Sequence, residues 1–430
     1  MSSVLVRNIE IVNPDRIFWA DVLFEDETIV KISEDSIESE AKVYDGTGKL
    51  LIPAGIDPHV HLSLPTHAGP SCDDFKTGSR AAIAGGTGAL IDFVTPERGQ
   101  SLIEATEARL KEAKVSEVPV KLHVGITWWD DSLDAEIESL IKDYGIKTFK
   151  VYMAYLDNIG LEVCDLHKAM KSIAAHGGIM ALHAELGHEI AKIQHDFIET
   201  GRTAAFNHPW SRPAYCEFDA VEKALFYVHA TQCTTYFVHI STAESVQLIR
   251  KAKAEGLPVY AETCPQYLLL DDEKYNGAFK DVAVFIMSPP LRPKENIDAL
   301  WDALKNGTID TVGTDHCPFT MKQKLHGYSD FTRIPNGAGG IYHRMALMYT
   351  YGVLNGDLTL GEWVQICSSN AAKIFEFNEF GKIEEGNTKA VIWDPEAEER
   401  IGDTHPYSHA DINAFSGLKI KGKAIKISEL

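Results

Sequence analysis

No stretch of this chain reaches the roughly 18 consecutive apolar residues that a membrane-spanning helix requires. The first ten residues, Met-Ser-Ser-Val-Leu-Val-Arg-Asn-Ile-Glu, lack an apolar core and a small-residue cleavage site, which argues against a secretory leader. Cys-x-x-Cys pairs are also missing. The seven cysteines (Cys72, Cys164, Cys216, Cys233, Cys264, Cys317, Cys367) are odd in number and widely scattered, a pattern for free thiols in a reducing compartment rather than a disulfide framework. Positive charge is in short supply: 41 Lys and Arg face 62 Asp and Glu, for a formal charge of −21. Such a surface repels nucleic-acid phosphates and anionic lipid, so we expect neither as a partner. Internal repeats, low-complexity segments and a long Ser/Thr-rich tail are absent as well. The expectation is a cytoplasmic globular protein.

What is present is a chain of 430 residues with 45% hydrophobic residues, enough for a large core and too long for one small domain. Residues 3–51 read as short strands (Val4–Val12, Trp19–Phe24, Thr28–Ile32) with turn signals and no helical period. The tail from about Lys389 reads similarly, with Ala390–Trp393 and Leu418–Ile427 as strands. Between them, eight apolar runs alternate with amphipathic segments: Leu51–Ile56, Ala89–Val94, Val120–Ile126, Thr148–Met153, Ile179–Leu182, Thr235–Ile240, Val259–Glu262 and Thr311–Gly313. Ser101 with Glu104, and Ser241 with Glu244, have capping-box spacing, and Gly256 before Pro258 marks a helix end. This pattern predicts an α/β fold, a (β/α)8 TIM barrel over 53–385, with a small β-sandwich assembled from 1–52 and 386–430.

The ionisable residues fall at particular places on that frame. His59 and His61 follow the first run, Lys150 lies in the fourth, and His183, His239 and Asp315 end the fifth, sixth and eighth. Taken singly, each has an ordinary explanation. An H-x-H pair on a strand is more often two packing histidines, a strand-end histidine more often a hydrogen-bonded one, and Asp315-His316 before Cys-Pro can be a turn. Lys150, between Phe149 and Val151, is costly to bury as a cation unless its stem runs along apolar surface to water. Jointly, four histidines, an aspartate and a lysine on the carboxyl-terminal rim of one parallel barrel converge on a single pocket. Four imidazoles and a carboxylate suit zinc, or a similar ion such as manganese. Two such ions would need a bridging ligand and can hold a bridging hydroxide. A buried lysine is partly a neutral amine and can add carbon dioxide, so a carboxylated Lys150 would supply that bridge.

Several longer motifs accompany these residues: Gly55–His61, Asp73–Gly78, Phe149–Tyr155, Glu262–Leu268, Ser288–Arg292, Gly313–Phe319 and Ile334–Gly337. With them the chain resembles, from about Val4 to Phe415, the dihydropyrimidinase/hydantoinase branch of the amidohydrolase superfamily. The resemblance implies one metal on His59, His61 and Asp315, a second on His183 and His239, and carboxylated Lys150 between them. It implies hydrolysis of the cyclic amide of dihydropyrimidines or 5-substituted hydantoins by the bridging hydroxide, with Asp315 as base and then acid. Tyr155 matches the donor to the developing oxyanion. Ser288 and Asn336 match positions that bind the ring's amide edge largely through main-chain groups, and Leu64, Tyr152 and Ile159 would line the substituent pocket. A homo-oligomer, dimer or tetramer, is also implied.

Three features depart from the branch. His67 and Pro70 stand in a loop that is often richer in glycine, Tyr342 stands where an acidic residue is usual, and the chain stops at Leu430, where relatives usually continue. The competing readings are allantoinase, dihydroorotase and a metal-free scaffold homologue. A dihydroorotase commonly places an arginine shortly after H-x-H to grip a carboxylate, whereas here the run is His61-Leu-Ser-Leu-Pro-Thr-His67. Allantoinase is less well excluded, since its ureide substituent is neutral. The scaffold proteins lose ligands, and this chain keeps all six.

Overall fold

The computed structural model describes residues 3–430. Both termini contribute to one mixed seven-stranded sheet. Its strands are β1 (Ser3–Val12), β2 (Ile17–Glu25), β3 (Thr28–Ser33), β4 (Lys42–Asp45) and β5 (Leu50–Pro53) from the amino-terminal end. After the barrel it is completed by β14 (Ala390–Arg400) and β15 (Lys419–Ile425). Strand β1 runs antiparallel to β2, and its other edge takes β4 along Val4–Arg7 and β5 at Glu10 and Ile11. The change of neighbour coincides with a register shift between Val6 and Ile9, where Asn8 adopts a left-handed backbone. Period-two burial of Ala20, Val22 and Phe24 on β2 turns one face onto a core with Val6, Ile9, Ile11, Leu51 and Ile392.

Eight parallel strands follow: β6 (Gly55–Val60), β7 (Thr87–Val94), β8 (Val120–Gly125), β9 (Thr148–Tyr152), β10 (Ile179–His183), β11 (Thr234–Phe237), β12 (Val259–Thr263) and β13 (Thr311–Val312). They pair in sequence order. The ends of the series meet through a parallel bridge between Val60 and His316, with His61 N–H donating to the His316 carbonyl at 2.8 Å. Helices follow the strands, among them Phe75–Ala84, Leu102–Ala113, Leu133–Lys142, Val163–Ala175, Gly187–Glu199, Ala243–Ala254 and Lys294–Lys305. The result is the predicted TIM barrel. Among the described residues no helix is long and apolar enough to cross a membrane.

Three local expectations are corrected. The run Leu51–Ile56 is two strands: Leu50–Pro53 pairs with β1 and β14, and Gly55 opens the barrel. Both halves are buried, so no polar residue marks the switch between sheets. A side chain on Gly55 would lie 2.7 Å from the Arg344 guanidinium, which gives a steric reason for glycine at the switch. The Ser241–Glu244 capping box does not form: Thr242 caps the helix by accepting from Ser245 N–H, while the Ser241 hydroxyl donates to Glu217. Ser101 does cap through Glu104 N–H, but Glu136 of the next helix takes its hydroxyl. Finally, β11 and β13 end at Phe237 and Val312, before His239 and Asp315.

Candidate metal centre and its pocket

All twelve residues singled out from the sequence line one cavity of about 390 Å³ on the carboxyl-terminal rim: His59, His61, Leu64, Lys150, Tyr152, Tyr155, Ile159, His183, His239, Ser288, Asp315 and Asn336. Strand β6 presents His59, and His61 follows one residue past its end. Their Nε2 atoms lie 3.2 Å apart, each 3.1 Å from Asp315 Oδ1. The three form a group able to hold a metal ion, with candidate ligand atoms all within 4.8 Å of one another. On the far side, His183 Nδ1 and His239 Nε2 are 2.9 Å apart. The His59 and His239 rings join the two sets, with centroids 5.4 Å apart. Burial pushes the pKa values of His59, His183 and His239 down, so these imidazoles are neutral with lone pairs available.

Lys150 belongs with these imidazoles, acting electrostatically on His59, His183 and His239. Its Nζ is buried, has no hydrogen-bond partner, and stands over the rings of Phe93 (5.0 Å) and Tyr152 (4.7 Å). Burial lowers its pKa to about 7, against the upward pull of Asp315 and Glu262. Burial pushes the Asp315 carboxyl up, but His59 and His61 outweigh it and hold the group below the ordinary carboxylate value. An unpartnered buried amine in the same cavity as the His59–His61–Asp315 group and the His183–His239 pair leaves a donor set of imidazoles and a carboxylate that fits divalent-metal binding.

A ring of buried groups behind this wall escaped the sequence reading. Glu262 Oε1 accepts from His59 Nδ1 at 2.7 Å and from His239 N–H at 3.1 Å, and its other oxygen accepts from the Tyr236 hydroxyl at 2.8 Å. One carboxyl therefore fixes the His59 imidazole and the His239 main chain, and it directs His59 Nε2 toward Asp315. Glu185 does the same for His183 Nε2 (2.7 Å) and is paired with Arg212 (2.5 Å). Arg212 in turn donates to the Tyr155 hydroxyl at 3.4 Å. Glu185 stands two residues after His183, and Glu262 is an acid inside an apolar strand; those were the available signals. Supporting groups of this kind typically contribute 10–100-fold to metal affinity. Glu262→Gln is expected to weaken metal retention by about that factor in chelator competition. Unchanged retention would remove Glu262 from the support.

Tyr155, His239 and Asp315 all have positive φ (59°, 40° and 53°), uncommon for residues other than glycine and typical of strain held at functional sites. Of the departures, His67 lies on the cavity wall and donates to the Arg333 carbonyl at 2.8 Å, and the Pro70 carbonyl accepts from Gln323. Tyr342 stands off the pocket, its ring 3.6 Å from that of His405. Thr95, Asn158 and Cys317 complete parts of the wall that the sequence left unassigned. The Asp73–Gly78 motif is structural: Asp74 caps its helix in a capping box with Thr77, and Asp73 accepts from His316, Ser408 and the His409 N–H.

A barrel carrying this donor set on its rim defines a class, and residues 50–425 match the amidohydrolase family. The chain belongs to that family. Within it, the chain is 39% identical to a dihydropyrimidinase of Dictyostelium discoideum, over 98% of this chain and 85% of that protein. It is 36% identical to a D-hydantoinase of Geobacillus stearothermophilus, over 98% and 91%. The crystal structure of the dihydropyrimidinase from Brevibacillus agri superposes with a TM-score of 0.96 at 35% identity, covering 98% of this chain and 93% of that one. These relatives set it in the dihydropyrimidinase/hydantoinase branch.

Proposed function

We propose that this protein is a metal-dependent hydrolase that opens the cyclic amide bond of dihydropyrimidines or 5-substituted hydantoins. The observation that carries the reading is the meeting of His59, His61 and Asp315 with His183 and His239 around the unpartnered amine of Lys150. In this reading His59, His61 and Asp315 would hold one divalent ion, zinc by donor type, His183 and His239 a second, and a carboxylated Lys150 would touch both. When bound, the two cations supply Lewis-acid polarisation of the amide carbonyl and lower the pKa of the attacking water.

The chain's own groups do the rest. Asp315, ionised at neutral pH, accepts the proton of that water as the new C–O bond forms. It returns the proton to the ring nitrogen as the C–N bond breaks, and an open-chain ureido acid leaves. Burial raises the pKa of Tyr155, so its phenol keeps the proton it donates to the developing oxyanion. Ser288 and Asn336 hold the ring's amide edge, while Leu64, Tyr152 and Ile159 meet its substituent. No arginine lines the cavity among the described residues, which disfavours a ring carrying a carboxylate. The seven cysteines all stand free, in keeping with a reducing, cytoplasmic setting, and assembly into a homo-oligomer completes the proposal.

Dihydrouracil, 5-phenylhydantoin, allantoin and dihydroorotate, assayed with added zinc or manganese, test the substrate class. We expect turnover of the first two to exceed that of dihydroorotate by at least about 10²-fold, the scale set by leaving a charged group without its partner. Preference for dihydroorotate or allantoin would overturn the assignment.

A further inference from the structure

Lys324 is fully buried (0% exposed), yet it lines no part of the cavity and takes no part in the chemistry above. It closes the short helix Met321–Lys324, and its Nζ stands 5.5 Å from the centre of the Phe319 ring. Its Nζ donates to three main-chain carbonyls, those of Ile286 (2.9 Å), Pro335 (2.8 Å) and Gly337 (2.9 Å). All three hydrogens of an ammonium are thereby used. Burial lowers the pKa of this amine to about 7, so keeping it charged among carbonyls is costly. The places of those carbonyls in the chain suggest what is gained.

Pro335 and Gly337 bracket Asn336, and Ile286 stands two residues before Ser288. The two segments are joined again by Gly337 N–H donating to Ile286 O at 3.0 Å and by the Ser288 hydroxyl donating to Asn336 Oδ1 at 3.1 Å. His208 secures the intervening Met287 carbonyl at 2.8 Å. Gly337, at φ 143°, is seated so closely that a side chain there would lie 2.4 Å from the Cys317 carbonyl. Around this knot the carbonyls of residues 286, 287, 335 and 337 are all satisfied. The main-chain groups of Ser288 and Asn336 have no hydrogen-bond partner among the described residues. Both residues are on the cavity wall.

We propose that Lys324 is a positioning residue for ring recognition, tying the 286–288 and 335–337 segments at one point so that the free main-chain groups of Ser288 and Asn336 meet the N–H and C=O of a cyclic amide at fixed spacing. The proposal rests on the cyclic-amide reading of the site. Lys324 touches no substrate; it acts through the two segments.

The test compares the metal-loaded wild type with Lys324→Met, which keeps an unbranched stem and removes all three donors. The KM for dihydrouracil is expected to rise about tenfold or more, the scale of one or two misaligned hydrogen bonds. The value of kcat should fall far less, and the metal content should stay that of the wild type. A second readout is the preference for dihydrouracil over its N-methylated ring, whose amide edge is blocked. That preference should shrink toward unity in the variant, a change that a general loss of stability would not produce. If Lys324→Met does not fold, Lys324→Gln, which keeps an amide donor, is expected to show the same two changes to a smaller degree. An active variant with wild-type KM and wild-type discrimination would overturn the proposal. So would loss of metal and kcat together at constant KM. A metal-loaded wild type that opens none of the rings would instead defeat the activity reading itself.

Discussion

Lys150→Ala is expected to lower bound metal from about two ions per chain to below one and to cut turnover by about 10³-fold or more, since a bridged metal pair supplies several kcal/mol of transition-state stabilisation. Lys150 is 1% exposed, its Nζ has no hydrogen-bond partner, and the imidazoles of His59, His61, His183 and His239 line the same cavity. As an ammonium it would repel the cations that those imidazoles are suited to hold. Burial lowers its pKa to about 7, so a substantial fraction is free amine at neutral pH. That amine can add carbon dioxide, forming an N–C bond with loss of a proton, and the resulting carbamate would offer two oxygens sharing one negative charge. Alanine removes the anion and leaves a space, which a short carboxylic acid should partly refill with recovery of metal and activity. A companion variant separates stability from function. Lys150→Met replaces an unpaired buried polar group with an apolar one of similar length, so the metal-free protein should be as stable as the wild type, or more stable by about 1–3 kcal/mol. Normal metal content in Lys150→Ala would eliminate the carbamate bridge.

The contrast between Lys150 and Lys324 shows what the sequence could and could not reveal. Lys150 sits inside an apolar strand, where a cation contradicts the pattern around it, and the contradiction is visible in a line of letters. Lys324 follows Lys322 in an unremarkable polar stretch, and only the fold discloses that three carbonyls from two distant segments converge on it. The same division runs through the site. His59, His61, His183, His239 and Asp315 were legible because strand period and the barrel's rim rule place them together without any knowledge of packing. Arg212 was not, because its role is defined by Glu185 and Tyr155, which are close to it only in space. In the fold, strand order and helix alternation were readable from periodicity. The division of Leu51–Ile56 between two sheets was not, since continuous burial erases the period that would mark it. The left-handed backbone at Tyr155, His239 and Asp315 was equally hidden: none is glycine, and nothing local requires it.

That backbone geometry makes Asp315→Asn the cleanest test of the proton carrier. Asparagine, like aspartate, tolerates the left-handed region, so the substitution should not disturb the 53° φ that sets the side chain's direction. Its amide oxygen can occupy the place of Oδ1, 3.1 Å from both His59 and His61 Nε2, as a neutral and weaker metal ligand. It cannot accept a proton from water or return one to a departing nitrogen. General acid–base catalysis by a placed carboxylate contributes about 10²–10⁴-fold, so kcat is expected to fall by that range or more. KM should move little, because the ring is held by other residues. Metal analysis on the same sample separates the two roles assigned to this residue. Near-normal metal with lost turnover marks Asp315 as the proton carrier, whereas loss of one ion in proportion to lost turnover would reduce it to a ligand. Near-normal rates would remove it from the chemistry altogether.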